Sequence, residues 1–177
     1  IKDHQTLFEA ARLLISEGMD LHLLIVGDGE LRSPLERQAL EMLPEDRAHF
    51  TGWRFDLSRV YRDVDLVVLC SLNEGTPVSL IEAMAASRPG VATGVGGVPD
   101  LLGWSGDSVP SPGSFVGTER GWIVPTKDPS GLAAAIREIQ TRPAQNVAKV
   151  KAGRDYVLEQ FDIESLVTAL TNLYRYA

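Results

Sequence analysis

Glu74 and Glu82 stand eight positions apart, one on each side of a helix start, and are the side chains best placed by type and spacing to do chemistry. They lie in residues 71–84, SLNEGTPVSLIEAM, where a polar turn joins the apolar run 65–70, DLVVLC, to a short helix. Thr76 is a good N-cap and Pro77 a good first helical residue, because proline's missing N–H is not needed there and its φ is already helical. The spacing therefore predicts a helix from Pro77, with the free N–H groups of Val78 and Ser79 pointing out of its start, where the helix dipole favours a phosphate. Carboxylates accept hydrogen bonds from sugar hydroxyls as charge-assisted pairs. Glu74 before the helix and Glu82 inside it would then address different parts of one ligand, and a phosphate between two sugars fits that layout. The plain alternative is a capped, solvated helix, since Glu is common on helix surfaces.

The elements around this stretch must hold it in place. The run 65–70 is short, β-branched and bounded by polar residues, which predicts a buried strand. Upstream, residues 5–18 show helical spacing at Leu7, Ala10, Ala11, Leu14 and Ile15, with Asp3 as cap and Gly18 as stop. Residues 21–26 read as a strand buried on both faces, feeding the turn Gly27-Asp28-Gly29. An amphipathic helix over 30–43 presents Leu31, Leu35, Ala39 and Leu40 or Met42. Next come a strand at 49–52, a small helix over 57–64, the opening stretch, and a strand over 90–95 running into Gly96-Gly97-Val98-Pro99-Asp100.

From 102 to 121 the periodicity disappears into glycine and proline, a functional flap or a mobile insertion. A last strand at 121–124 precedes a helix capped by Asp128, with Pro129 at its first position. Two further helices follow, the first over 145–160. The second is capped by Asp162 and carries Leu166, Leu170, Leu173 and Tyr174. Strands alternating with helices imply βαβ crossovers and a parallel sheet covered on both faces, an α/β fold of Rossmann-like type. In such sheets ligands bind at the carboxyl ends of the strands.

Bulk properties narrow the function. With 177 residues, 44% of them apolar, the chain suits one domain with its own core. A net charge of -7 argues against a broad nucleic-acid or anionic-membrane surface. The single cysteine, Cys70, leaves no intrachain disulfide or cysteine-based zinc site, and its apolar strand makes it a core residue. No apolar run is long enough to span a membrane, and a cytoplasmic location is expected. The chain begins at Ile1 and at once enters a helix, which reads as a fragment of a longer protein.

The run DLVVLCSLNEGTPVSLIEAMAASRPGVATGVGGVPDLL resembles the donor-site signature of the retaining glycosyltransferases of family four, which have the glycosyltransferase-B fold. The resemblance extends through KDHQTLFEAARLL, LLIVGDGELRSPLE and HFTGWRFDLSRVYRDVDL upstream. It resumes downstream at GWIVPTKDPSGLAAAI and YVLEQFDIESLVTALTNLYR. It implies that residues 1–177 are the carboxyl-terminal, nucleotide-sugar-binding half of a two-domain transferase. The first strand of this half, an arginine a few residues before Lys2, and an acceptor-binding amino-terminal domain would all precede Ile1. The missing strand would sit in mid-sheet and leave apolar edges of its neighbours unpaired, and the fragment alone is expected to be inactive.

By the family pattern, Glu74 contacts hydroxyls of the transferred sugar and Glu82 the ribose, while the backbone of Gly75, Thr76, Pro77, Val78 and Ser79 holds the diphosphate. Lys2 neutralises that diphosphate. Gly52, Trp53 and Arg54 pass the nucleobase; Trp53 is equally readable as a packing residue, and Arg59 as a base contact or an exposed helix charge. The implied reaction moves a hexosyl unit from a UDP- or GDP-sugar to a saccharide or lipid-linked acceptor, with retention and without a metal or other cofactor. Other readings are a non-catalytic nucleotide-binding module, a nucleotide-sugar epimerase of the same fold, and a receiver domain, which would need acidic residues clustered after the first strand.

Overall fold

Helices and strands alternate along most of the chain in the computed structural model, which describes residues 1–106 and 110–175. The amino-terminal part runs α1 (His4–Ser16), β1 (Leu23–Val26), α2 (Arg32–Met42), β2 (Ala48–Gly52) and α3 (Leu57–Asp63). The opening stretch is built from β3 (Val67–Leu69) and α4 (Val78–Ala85), followed by β4 (Gly90–Thr93) and α5 (Val98–Leu102). Then come β5 (Val116–Gly117), β6 (Trp122–Val124), α6 (Pro129–Thr141), α7 (Pro143–Gln160) and α8 (Ile163–Arg175).

The strands form two sheets. β1 and β2 pair in parallel, with Leu23 opposite Ala48 and Leu24 opposite His49. The other sheet has the order β3-β4-β6-β5, parallel except for β5. Among the described residues, β1 pairs only with β2 and β3 only with β4, so one edge of each is free. α1 joins the two sheets through its two faces. Ala10 and Leu14 pack with Leu132, Ile136 and Val91 over the larger sheet, while Phe8 and Ala11 pack with Leu23, Ala39 and Leu43 over the smaller. The far face of the larger sheet is closed by Leu80, Met84, Leu102, Ile123 and Val157, from α4, α5, β6 and α7.

Three expectations need correction. The strand at 21–26 is buried on one face only: Leu23 and Ile25 face α1 and α2, whereas Leu24 is 42% exposed, because among the described residues no helix covers the other side of β1. In α2 the core face uses Leu35, Ala39 and Met42, and Leu31 and Leu40 lie in solvent. The segment 103–120 is not all loop: its end pairs as β5 against β6 through Val116–Ile123 and Gly117–Trp122, while its residues 107–109 lie outside the described residues. In α8 the apolar residues Leu166, Leu170, Leu173 and Tyr174 are exposed.

Other local signals hold. Asp128 caps α6, its Oδ1 accepting from the Gly131 N–H at 2.9 Å. Asp3 occupies the N-cap of α1, although its carboxylate accepts from the Thr6 hydroxyl at 2.7 Å instead of from the backbone. Cys70 is a core residue, its thiol pushed up to about 12 by burial. No helix is long and apolar enough to cross a membrane among the described residues.

Candidate functional site

The turn between β3 and α4 is set by proline and by two glycines from a distant loop. α4 begins at Val78, one residue later than the sequence predicts, and Pro77 rather than Thr76 is its N-cap, at φ −78° and ψ 97°. The reason is local. Pro77 takes the extended conformation of a cap residue, so the first helical φ and ψ fall on Val78. The Leu80 and Ile81 N–H groups both donate to the Pro77 carbonyl, at 3.0 and 3.2 Å. Among the described residues the N–H groups of Val78 and Ser79 then have no acceptor, as expected. Gly75, Thr76, Val78 and Ser79 are exposed around this helix start, and Pro77 is buried.

Gly96 and Gly97 lie directly against the turn. A Cβ on Gly96 would fall 1.7 Å from the Glu74 carbonyl oxygen, and one on Gly97 would fall 2.7 Å from that of Gly75. The Gly97 N–H donates to the Gly75 carbonyl at 3.1 Å. The GGVPD segment thus supports the Glu74 turn by backbone contact, which only residues without side chains permit. A glycine pair was visible in the sequence; which backbone it would touch was not. The fully buried Thr93 hydroxyl at the end of β4 donates to the Ser71 carbonyl and fixes the start of the same turn.

The start of the chain reaches this turn. The Leu72 N–H donates to the Ile1 carbonyl at 2.8 Å, and Lys2 Nζ then lies 2.6 Å from Glu74 Oε1. The Glu74 side chain is only 12% exposed, so burial alone would raise its carboxyl. Hydrogen bonding and charge from Lys2 help to outweigh that, and the carboxyl sits below the usual glutamate range. Lys2 remains half in solvent. The site therefore couples a cation, a carboxylate and two free helix N–H groups at the carboxyl end of β3.

Glu82 lies in the second turn of α4, half-buried, with Oε2 accepting from the Tyr61 hydroxyl of α3 at 3.0 Å. No local pattern points to Tyr61 at this place, because the contact depends on how α3 docks against α4. Gly52, Trp53 and Arg54 follow the carboxyl end of β2, and no hydrogen bond joins them to residues 74–79 among the described residues. Gly52 adopts a φ of +67°, and its missing side chain makes room for Arg32, whose guanidinium also donates to the Phe50 carbonyl and to Asp28. Trp53 is 75% exposed, which removes the packing reading for it. Arg54 makes two hydrogen bonds to Asp56, at 2.8 and 2.6 Å, and Arg59 is exposed. No group of three or more His, Cys, Asp or Glu side chains is arranged to hold a metal among the described residues.

Residues 1–142 match the family Glycosyl transferases group 1. The chain is 29% identical over 158 residues to the 2-deoxystreptamine glucosyltransferase of Streptomyces kanamyceticus, covering 88% of this chain and 37% of that protein. It is 26% identical over 174 residues to the N-acetyl-alpha-D-glucosaminyl L-malate synthase of Bacillus anthracis, covering 98% of this chain and 42% of that protein. Among solved structures, Anabaena Alr3699/HepE in complex with UDP is similar with a TM-score of 0.83 at 19% identity, over 99% of this chain and 46% of that one. The chain spans less than half the length of these relatives. Its α/β arrangement is the one found in glycosyltransferases of the glycosyltransferase-B fold.

Proposed function

The chain belongs to the family Glycosyl transferases group 1, and on that premise we propose that residues 1–177 are the donor-binding half of a retaining, family-four glycosyltransferase. The observation that carries this reading is the convergence of Lys2, Glu74 and the free N–H groups of Val78 and Ser79 on one helix start. A nucleoside diphosphate seated there meets a cation and two unpaired donors, and the sugar beyond it meets Glu74. The ribose on the other side meets Glu82, and the base lies towards Gly52, Trp53 and Arg54.

Transfer breaks the bond between the anomeric carbon and the diphosphate, so negative charge develops on the leaving group. Donors already in position stabilise it without reorganisation in the transition state. Lys2 and the α4 N-terminus fill that role here, and in this reading no cofactor is needed beyond the nucleoside-diphosphate sugar. The acceptor, a saccharide or a lipid-linked one, belongs to a partner domain outside residues 1–177, and the reaction is cytoplasmic. The transferase names of relatives favour this reading over an epimerase. The Anabaena neighbour is also found in complex with UDP-glucose, which supports UDP as the first nucleotide to test.

Calorimetry on the natural full-length protein with UDP and GDP tests the reading. One of the two should bind, and Glu82→Ala should weaken it. Failure of both nucleotides to bind sinks the donor-site assignment. If one binds, a radiolabelled-donor screen against saccharide and lipid acceptors separates a transferase from a non-catalytic module.

A further inference from the structure

Tyr61 lies in the stretch HFTGWRFDLSRVYRDVDL that resembles the family, outside the donor-site run itself, and its hydroxyl reaches α4 at two points. It lies 3.0 Å from Glu82 Oε2 and 3.2 Å from the Ser79 carbonyl oxygen. A phenol has one proton to give, and the shorter distance and the negative charge of the acceptor direct it to Glu82. Burial, with the hydrogen bond and charge of Glu82, pushes the Tyr61 hydroxyl well above its ordinary range, so it stays protonated as a donor at any physiological pH.

Glu82 has no cation within salt-bridge distance among the described residues, in contrast to Glu74, which has Lys2. A half-buried glutamate without a partner would sample several rotamers, and each ligand contact would first have to arrest them. The Tyr61 bond arrests them beforehand and uses only one of the two carboxylate oxygens. Oε1 is left to accept from a ligand. Ser79, whose carbonyl is in reach of the same hydroxyl, is the residue whose free N–H faces the anion seat. The one proton of the phenol therefore joins α3 to the Glu82 carboxylate of α4.

We propose that Tyr61 is a positioning residue for the ribose: it holds Glu82 in the rotamer that accepts hydrogen bonds from the ribose hydroxyls of the bound nucleoside diphosphate. The proposal rests on the donor-site reading given above. It assigns to α3, which otherwise only connects β2 to β3, a part in nucleotide recognition.

The test uses Tyr61→Phe, which removes one oxygen and keeps the ring, in the natural full-length protein. Calorimetry with UDP, GDP, their 2′,3′-dideoxy analogues and inorganic diphosphate is paired with thermal melts. Tyr61→Phe should weaken the nucleotide that binds by about tenfold, the scale of one hydrogen bond to a charged group. The loss should vanish with the dideoxy analogue and with diphosphate, and should not add to that of Glu82→Gln. With a working acceptor, the donor KM should rise while kcat stays nearly constant. An unchanged affinity overturns the proposal and leaves the donor site standing, and so does an equal loss for every ligand, which would mark a purely structural tyrosine. Absence of any nucleotide binding by the unmodified protein overturns both.

Discussion

Lys2 Nζ and Glu74 Oε1 lie 2.6 Å apart although 72 positions separate them in the chain. The pair forms because the Ile1 carbonyl accepts from the Leu72 N–H, which brings the start of the chain alongside the turn after β3. Lys2 is thereby held against Glu74 in the turn that leads into α4 before any ligand arrives. A pair with one half in solvent contributes on the order of 1 kcal/mol or less to stability. In the proposed donor site its value would be in placement: an incoming diphosphate would find the ammonium already oriented and share it with Glu74.

Replacing Lys2 by methionine should therefore affect ligands far more than folding. A charge-assisted contact to a phosphate is worth about tenfold or more in affinity. The loss should be largest at low ionic strength and shrink as salt rises, because Lys2 is 57% exposed. Calorimetry with the binding nucleotide at two salt concentrations checks both points. Equal affinity for the variant and the unmodified protein would remove Lys2 from the site.

The Glu74 carboxyl gives a pH signature with a definite sign. Its folded pKa lies below its unfolded value, so its contribution to stability is fully present above the unfolded value and is lost as pH falls through the folded one. Denaturant unfolding of the unmodified protein and of Glu74→Gln should differ by a constant amount at neutral pH. Below the ordinary glutamate value of about 4.3 that difference should shrink as the carboxyl protonates. A difference that grew on acidification would contradict the ion pair.

Gly96→Ala should disturb the site from the side opposite to the ligand. The residue sits at φ +55°, a region that costs a side-chain-bearing residue about 1–2 kcal/mol. The new Cβ would also stand 1.7 Å from the Glu74 carbonyl, so the turn must move. Chemical denaturation should show a loss at least as large as the conformational cost, and nucleotide affinity should fall with it. Gly29→Ala makes the control, since nothing lies within 4 Å of a Cβ there and the residue is outside the turn before α4.

How far these relationships could be seen in advance follows the range of the interactions. The α4 start was legible to within one residue, because a Thr-Pro pair acts on its own backbone. The Asp128 cap was legible for the same reason, acceptor and donor being three positions apart. Lys2 with Glu74, Gly96 with Glu74 and Tyr61 with Glu82 pair groups brought together only by sheet order and helix docking. No local pattern encodes them. The open face of β1 was misread because LLIV is apolar at every position, and periodicity cannot tell a strand covered on both sides from one covered on a single side. β5 escaped because two residues of antiparallel pairing, inside a stretch rich in glycine and proline, carry no period at all.

Asp128 does more than cap a helix. Its Oδ2 accepts from the Gly113 N–H at 2.6 Å while its Oδ1 holds the Gly131 N–H, so one carboxylate joins the segment before β5 to the start of α6. Loss of an N-cap alone costs about 0.5–2 kcal/mol. Asp128→Ala should exceed the middle of that range, because the hydrogen bond to Gly113 is lost together with the cap. Asp128→Asn keeps one acceptor oxygen and should recover part of the loss. Equilibrium unfolding of the two variants decides it: equal losses would mean that only one of the two bonds matters.

Trp53 offers a direct optical readout of where the base goes. It is 75% exposed after β2, next to a fully exposed Phe55, while Trp122 is buried in the core between β4 and β5. An exposed indole beside the proposed base position would stack on a nucleobase, an aromatic contact worth about 0.5–1.5 kcal/mol beyond the area it buries. Binding of UDP or GDP should then quench the fluorescence of Trp53, and the change should persist when Trp104 and Trp122 are replaced by phenylalanine. Inorganic diphosphate should occupy the α4 N-terminus without quenching. Trp53→Ala should lower nucleotide affinity severalfold and leave diphosphate affinity unchanged. If diphosphate quenches as strongly as the nucleotide, the signal reports a movement of the loop after Gly52, and the base does not lie on Trp53.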